Sequence, residues 1–101
     1  MYDVNTPLGS FWVDNFSAKD TRIGIRDVER VDNMGPDSTF RWSADQEDAL
    51  HKAAGEVGAT LDLLVPGGWR VQPGTALPAL EKALTRIAAT MPRSSRMTAP
   101  R

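Results

Sequence analysis

Apolar and polar positions in the first third of the chain alternate over short segments, which is the pattern of β-strands. Residues 10–16 (SFWVDNF) are rich in aromatic side chains, and residues 22–26 (RIGIR) place two isoleucines on one face. Because both segments are short and the residues between them are polar, they predict a β-hairpin with its loop at 17–21. Residues 6–9 (TPLG), just before it, are typical of a turn.

The alternation slips after the second strand, where Val28 and Val31 lie three residues apart. A bulge near Asp27 or a short helical turn would each produce that spacing. Residues 32–38 (DNMGPDS) are nearly all turn-forming types, so they predict a loop that divides the chain into two halves.

A helix is predicted at 44–57. Ser43 followed three residues later by Gln46 is a capping-box pattern, and acidic side chains in the first turn complement the helix dipole. Gly58 is well placed to end the helix in a left-handed conformation. Residues 60–65 (TLDLLV) alternate and favour a strand, although helical spacing also continues through them, so one long helix is the alternative.

The second half ends with a turn, a strand and a helix. Pro66–Gly67 suits the central positions of a type II turn, which would return the chain through a partner strand at 69–72. Thr75 is then predicted to cap a second helix that carries Pro78 in its first turn and ends at or before Met91, because a proline follows. Its apolar stripe consists of Leu77, Leu80, Leu84, Ile87 and Met91, with Lys82, Thr85, Arg86 and Thr90 opposite.

Together these elements predict an α+β fold in the order β-β-α-β-β-α, with two short hairpins packed on two amphipathic helices. The domain is expected to span residues 1–91. Residues 92–101 (PRSSRMTAPR) show no periodicity and predict a basic, flexible C-terminal tail.

Composition narrows the class of protein. The 101 residues, with 41% hydrophobic and 25% charged side chains, suit one globular domain. Cysteine is absent, which excludes disulfides and thiolate metal sites, and no apolar run is long enough to cross a membrane. The acidic N-terminus does not resemble a signal peptide, so a cytoplasmic location is predicted, or a virion if the chain is phage-derived. Arginine outnumbers lysine nine to three, a bias of GC-rich genomes such as those of actinobacteria and their phages.

Charge is distributed unevenly along the chain. Before Lys82 there are thirteen acidic and seven basic residues, a net of −6, whereas from Lys82 onward there are five basic residues and no acidic one, a net of +5. A basic segment of this kind binds phosphates or an acidic protein surface, including that of another copy of the chain.

No catalytic or cofactor motif stands out. His51 is the only histidine and is interpreted as an exposed helix residue. The acids of the first half alternate with arginines and are interpreted as cross-strand charge pairs rather than a metal site. Neither GxGxxG nor a P-loop is present, so no cofactor or metal is predicted.

The partner-binding residues predicted from the sequence combine aromatics with arginines. They are Phe40, Trp42, Trp69 and Arg70 in the domain and Arg93, Arg96 and Arg101 in the tail. For Phe40 and Trp42 the alternative is that both lie on one buried face, with Arg41 on the other.

The function predicted is a non-enzymatic protein–protein interaction or assembly module, using an apolar, aromatic patch and the opposed charges of body and tail. Its partner is expected to be the chain itself, as a homo-oligomer, or another protein, and no membrane is expected. The alternative is a nucleic-acid-binding protein that uses the basic tail and the strands that combine arginine with aromatics.

Overall fold

The computed structural model describes residues 1–17, 19–30 and 40–91. Within these residues the elements follow in the order β1 (Tyr2–Thr6), β2 (Gly9–Ser17), β3 (Asp20–Ile25), β4 (Glu29–Arg30), β5 (Phe40–Arg41), α1 (Ala44–Val57), β6 (Thr60–Val65), β7 (Gly68–Gln72), a 3₁₀ turn (Gly74–Ala76) and α2 (Leu77–Thr90). The predicted α+β class is confirmed.

Five of the strands form one antiparallel sheet in the order β1-β2-β3-β7-β6, and β4 and β5 form a separate two-stranded ladder. The two predicted hairpins, β2–β3 and β6–β7, are therefore not independent units. They are joined by pairing of β3 with β7, in which Ile23 lies opposite Trp69 and Gly24 opposite Gly68.

The hydrophobic core lies between one face of this sheet and the two helices. Alternate residues of the central strands point towards it, and α1 and α2 contribute their apolar stripes. The largest fully buried side chains include Phe11, Val13, Ile23, Ile25, Leu50, Val71, Leu80 and Leu84. The opposite face of the five-stranded sheet carries no helix among the described residues, and we call it the open face.

Helix α1 begins and ends where the sequence predicts. The side chain of Ser43 accepts a hydrogen bond from the backbone N–H of Gln46 at 3.4 Å, and Gly58 ends the helix with a φ of 71°. The chain then enters a strand, so the alternative of one long helix through residues 60–65 is wrong. Gly67, in the turn after that strand, has a φ of 74°, which fits the predicted type II turn.

Helix α2 shows the predicted apolar stripe but not the predicted cap. Leu77, Leu80, Leu84 and Ile87 are buried, and the helix ends at Thr90. Thr75 does not cap it, because the residues before the helix form a 3₁₀ turn and no side chain bonds to the first helical amides.

The remaining differences concern a strand that was not predicted, the chain after β3, and two predicted segments that the structure does not describe. Strand β1 was missed, since residues 2–6 are mostly polar and only Val4 of this strand packs against the core. After β3 the chain bends at Arg26 and continues into β4. The predicted loop at 32–38 and the tail at 92–101 lie outside the described residues.

Candidate interaction surface

The predicted aromatic contacts lie mainly inside the domain. Trp42 and Trp69 are only 5% and 4% exposed, and their rings meet edge to face with centroids 6.4 Å apart. The indole N–H of Trp42 donates to Oε1 of Glu47 at 2.5 Å, which satisfies its polar atom. Phe40 is partly buried against the same core. The alternative in which Phe40 and Trp42 are mainly structural therefore fits their burial.

Arg70 differs from these aromatics because it lies on the open face, at the next position along β7 from Trp69. Its Nε–H is buried and has no hydrogen-bond partner among the described residues. A buried donor without a partner costs roughly 1–3 kcal/mol, so this N–H destabilises the free chain unless water or a rearranged neighbour accepts from it. Arg93, Arg96 and Arg101 lie outside the described residues.

Strand register places Arg70 in a row of four charged side chains across the open face. The row runs Asp14, Arg22, Arg70, Asp62, one residue from each of four neighbouring strands. The outcome is a symmetrical sequence of charges, negative, positive, positive and negative, with two arginines side by side at its centre.

Only half of this row is neutralised by other groups of the described chain. Arg22 donates from Nε to Asp20 at 2.9 Å, and Asp14 lies 3.8 Å from the N-terminal amine. Arg70 and Asp62 are opposite each other in register, yet no ion pair joins either of them to any described residue. The edge half of the row thus has one free charge of each sign.

An apolar patch lies beside this charged row. The ring of Trp12 lies over Gly24 and Gly68, where a side chain on either glycine would overlap it. A Cβ on Gly68 would also lie 2.8 Å from Cγ2 of Val65, so Val65 and Trp12 are neighbours on the open face.

Strand β6 exposes further apolar side chains at the edge of the sheet, among which Leu63, opposite Trp69 in register, lies on the helix-facing side. Leu63, Leu64 and Val65 are 56%, 38% and 52% exposed, and the register with β7 shifts between Leu63 and Val65, which indicates a bulge. Within the described residues β6 pairs only with β7, so its outer edge is unpaired. We call Trp12, Asp62, Leu63, Leu64, Val65, Gly68 and Arg70 the hairpin surface.

The opposite edge of the sheet is polar by comparison. Strand β1 carries Asp3, which forms an ion pair with Arg26, and Asn5, which accepts a hydrogen bond from Ser10 at 2.6 Å. Charges and polar groups of this kind are how natural proteins protect a sheet edge from unwanted pairing. Strand β6 has only one charged residue for that purpose, Asp62.

The remaining candidates from the sequence have structural partners. His51 is exposed on α1, with Nε2 3.8 Å from Glu47 and its ring centroid 5.8 Å from that of Trp69. Several acids form charge pairs, such as Glu29 with Arg41. In the described ranges no three histidine, aspartate or glutamate side chains are grouped closely enough to hold a metal ion.

Comparison with protein-family models, with curated protein sequences and with solved structures gave no significant match. No helix in the described part of the chain has the length and apolar character needed to cross a bilayer.

Most of the hairpin surface was missed by the sequence analysis. Counting back from the turn at Pro66–Gly67 without a bulge would place Leu63 opposite Arg70 and would turn Asp62 to the other face of the sheet. The bulge at Leu64 changes that register, and it cannot be read from residue types alone.

Proposed function

We propose that this protein is a protein–protein interaction module and that the hairpin surface is its contact site. The main support is the edge strand β6. It exposes three consecutive apolar residues, Leu63, Leu64 and Val65, and it has no neighbouring strand on its outer side among the described residues. The site of action predicted from the sequence, the cytoplasm or a virion, is kept as part of this proposal.

Leaving the apolar side chains of this surface in water costs free energy that a partner could recover by covering them. Complete burial of a leucine or valine side chain contributes about 1.5–3 kcal/mol relative to exposure. Val65 beside the half-buried Trp12, together with Leu63 and Leu64 along the same edge, therefore offers a partner a favourable apolar contact of the kind found at the centre of interfaces. Arg70 and Asp62 add one free charge of each sign, which would restrict the partner to one orientation.

A peptide selection tests the proposal and does not require that the partner be identified first. Random-sequence peptides displayed on phage are selected on the full chain and then measured against two variants. In the first variant, Leu63→Lys with Val65→Lys places two charges on the hairpin surface, and both positions are exposed enough to keep the fold. Ala89→Lys, on the exposed side of α2, is the matched control.

Selected peptides are expected to lose at least about tenfold in affinity for the double variant, because lysines cannot replace the apolar contacts. They should bind the Ala89→Lys control as well as the unmodified chain. Selection of no peptide, or of peptides that bind the double variant equally well, would reject the hairpin surface as the contact site.

Nucleic-acid binding is the second candidate, and one observation favours it. The open face combines two aromatic rings, Trp12 and Phe16, with Arg22 and Arg70, and the guanidinium of Arg22 lies 5.5 Å from the centroid of Phe16. Such a face could stack bases and contact phosphates. Its carboxylates would repel phosphates, which is why we rank this function second.

A titration of the full chain with single-stranded and duplex DNA at low salt distinguishes the two candidates. Stacking on Trp12 should change tryptophan fluorescence, with an affinity that falls steeply as salt rises. Unchanged fluorescence with both DNAs would remove this candidate. The predicted contribution of the tail arginines would be tested by the same titration with Arg93→Ala and Arg96→Ala.

A further inference from the structure

We propose that the open-face part of the hairpin surface (Trp12, Asp62, Val65, Gly68 and Arg70) binds a second copy of this chain, sheet face against sheet face, about a twofold axis that runs between β6 and β7. The proposal rests on the proposed function and names the partner. It rests on two charged residues that have no ion-pair partner among the described residues, Arg70 and Asp62, and on the complementary sizes of the neighbouring residues Val65 and Gly68.

The charges are complementary to their own copy. A twofold axis along the boundary between β6 and β7 brings each residue of β6 opposite its register partner on β7 of the other copy. Arg70 then faces Asp62 of the second copy, and Asp62 faces Arg70 of the second copy. A symmetrical interface repeats each contact twice, so one axis supplies partners for all four free charges.

Other symmetrical arrangements leave these charges opposed or unused. An axis between β3 and β7 would bring Arg22 against Arg70 of the other copy. Edge-to-edge pairing of two β6 strands that keeps Leu61 opposite Leu63 would place Asp62 opposite Asp62. An axis between β2 and β3 would pair Asp14 with Arg22, but both already have partners in their own chain.

The shape of the surface fits the same axis. Val65 lies opposite Gly68 in register, so the twofold operation places the side chain of Val65 over a position that has none. The Trp12 ring lies beside that position and supplies an apolar surface for contact.

The small size of this surface limits the affinity that we expect for the dimer. Two short strands bury less than the roughly 800 Å² per partner of a standard interface, so the dimer should be weak and should depend on concentration.

Charge reversal in two separate chains tests the proposal. Asp62→Arg and Arg70→Asp each place like charges in contact twice across the interface, and each should weaken association at least about tenfold. An equimolar mixture restores both contacts between the chains, while within each chain the two neighbouring residues keep the same sign. Sedimentation velocity of the full chains should therefore show monomers for each variant alone and a heterodimer for the mixture.

A second measurement needs only Asp62→Arg, which changes an exposed residue and is compatible with folding even if Arg70→Asp is not. Rising salt screens attraction in the unmodified dimer and repulsion in the variant. Association of the unmodified chain should weaken with salt, and that of the variant should strengthen. Circular dichroism confirms that each variant is folded.

The proposal is overturned if the unmodified chain sediments as a monomer up to millimolar concentration, if the mixture stays monomeric, or if both salt responses have the same sign. If the chain is monomeric but selected peptides bind its hairpin surface, the dimer is rejected and the proposed interaction function is retained. If the peptide selection and the sedimentation experiments both give the negative result, the interaction function and the dimer are both rejected.

Discussion

Trp12 depends on two residues that have no side chain. Its ring lies over Gly24 and Gly68, which are opposite each other on β3 and β7. The backbone of both strands is thereby covered on the open face without a second helix layer. Each glycine is needed because a Cβ there would occupy the space of the ring, and at Gly24 it would also lie 2.6 Å from the carbonyl oxygen of Gly67.

We expect Gly24→Ala to destabilise the protein by about 1–3 kcal/mol, because the methyl group must displace either the indole or the turn backbone. Chemical denaturation measures the change. Gly55→Ala is the matched control, since a Cβ at Gly55 meets nothing within 4 Å. That control should be stabilising by up to about 1 kcal/mol, as alanine favours a helix. Equal stability of Gly24→Ala and the unmodified chain would contradict the packing of Trp12.

The structure raises the pKa of Tyr2. Burial raises the pKa of its hydroxyl above the ordinary value of 10.0, and the hydrogen bond that it donates to Oε2 of Glu81 at 3.1 Å raises it further. A raised pKa means that the folded state holds the proton more tightly than the unfolded state does. The contribution is therefore complete below pH 10 and is lost as the pH rises through the higher folded value.

Stability should thus fall more steeply above pH 10 in the unmodified chain than in Tyr2→Phe, which cannot ionise. Urea denaturation of both proteins between pH 7 and pH 11 gives the comparison, and other titrating groups cancel in the difference. Parallel curves for the two proteins would show that folding does not raise the pKa of Tyr2.

At the scale of elements, α1 is defined by its two ends. Ser43 bonds to the amide of Gln46 at the N-terminus, and the left-handed Gly58 ends the helix. Ser43→Ala removes the cap and should cost about 0.5–2 kcal/mol, whereas Ser43→Asp supplies another side-chain acceptor and should retain most of that stability. Thermal denaturation of the two variants provides the test, and an equal loss in both would show that the cap is not the cause.

Elements with local signals could be predicted from the sequence. The bounds of α1 and β6 follow from a capping residue, a glycine and a turn, which are all within a few positions of the element that they limit. Strand β1 has no such signal, because an edge strand needs few apolar residues and takes its register from β2. The prediction that Thr75 caps α2 was wrong because this residue lies within a 3₁₀ turn that precedes the helix, and residue types alone did not indicate that turn.

At the scale of the whole molecule, the pairing of β3 with β7 joins the two halves of the chain. Ile23 and Trp69, 46 positions apart in sequence, are opposite each other in this ladder, and residues of both halves share one core. No local pattern predicts such a contact, because it depends on how the hairpins meet. The free charges of Arg70 and Asp62 become visible only once that register is known.

Because the halves share one core, we expect them to unfold together. Tryptophan fluorescence, which reports on the packing of Trp42 and Trp69, and far-ultraviolet circular dichroism should give the same denaturation midpoint. Two separate midpoints would show that the hairpins are stable independently and that the β3–β7 contact is secondary.

The arrangement of the three tryptophans also gives the protein a built-in optical probe. Two indoles are buried, so collisional quenchers in solution reach mainly Trp12, which lies on the open face. A partner that covers this face must shield that indole from quenching. Contact at the hairpin surface can therefore be followed in the unmodified chain, at equilibrium and without an added label.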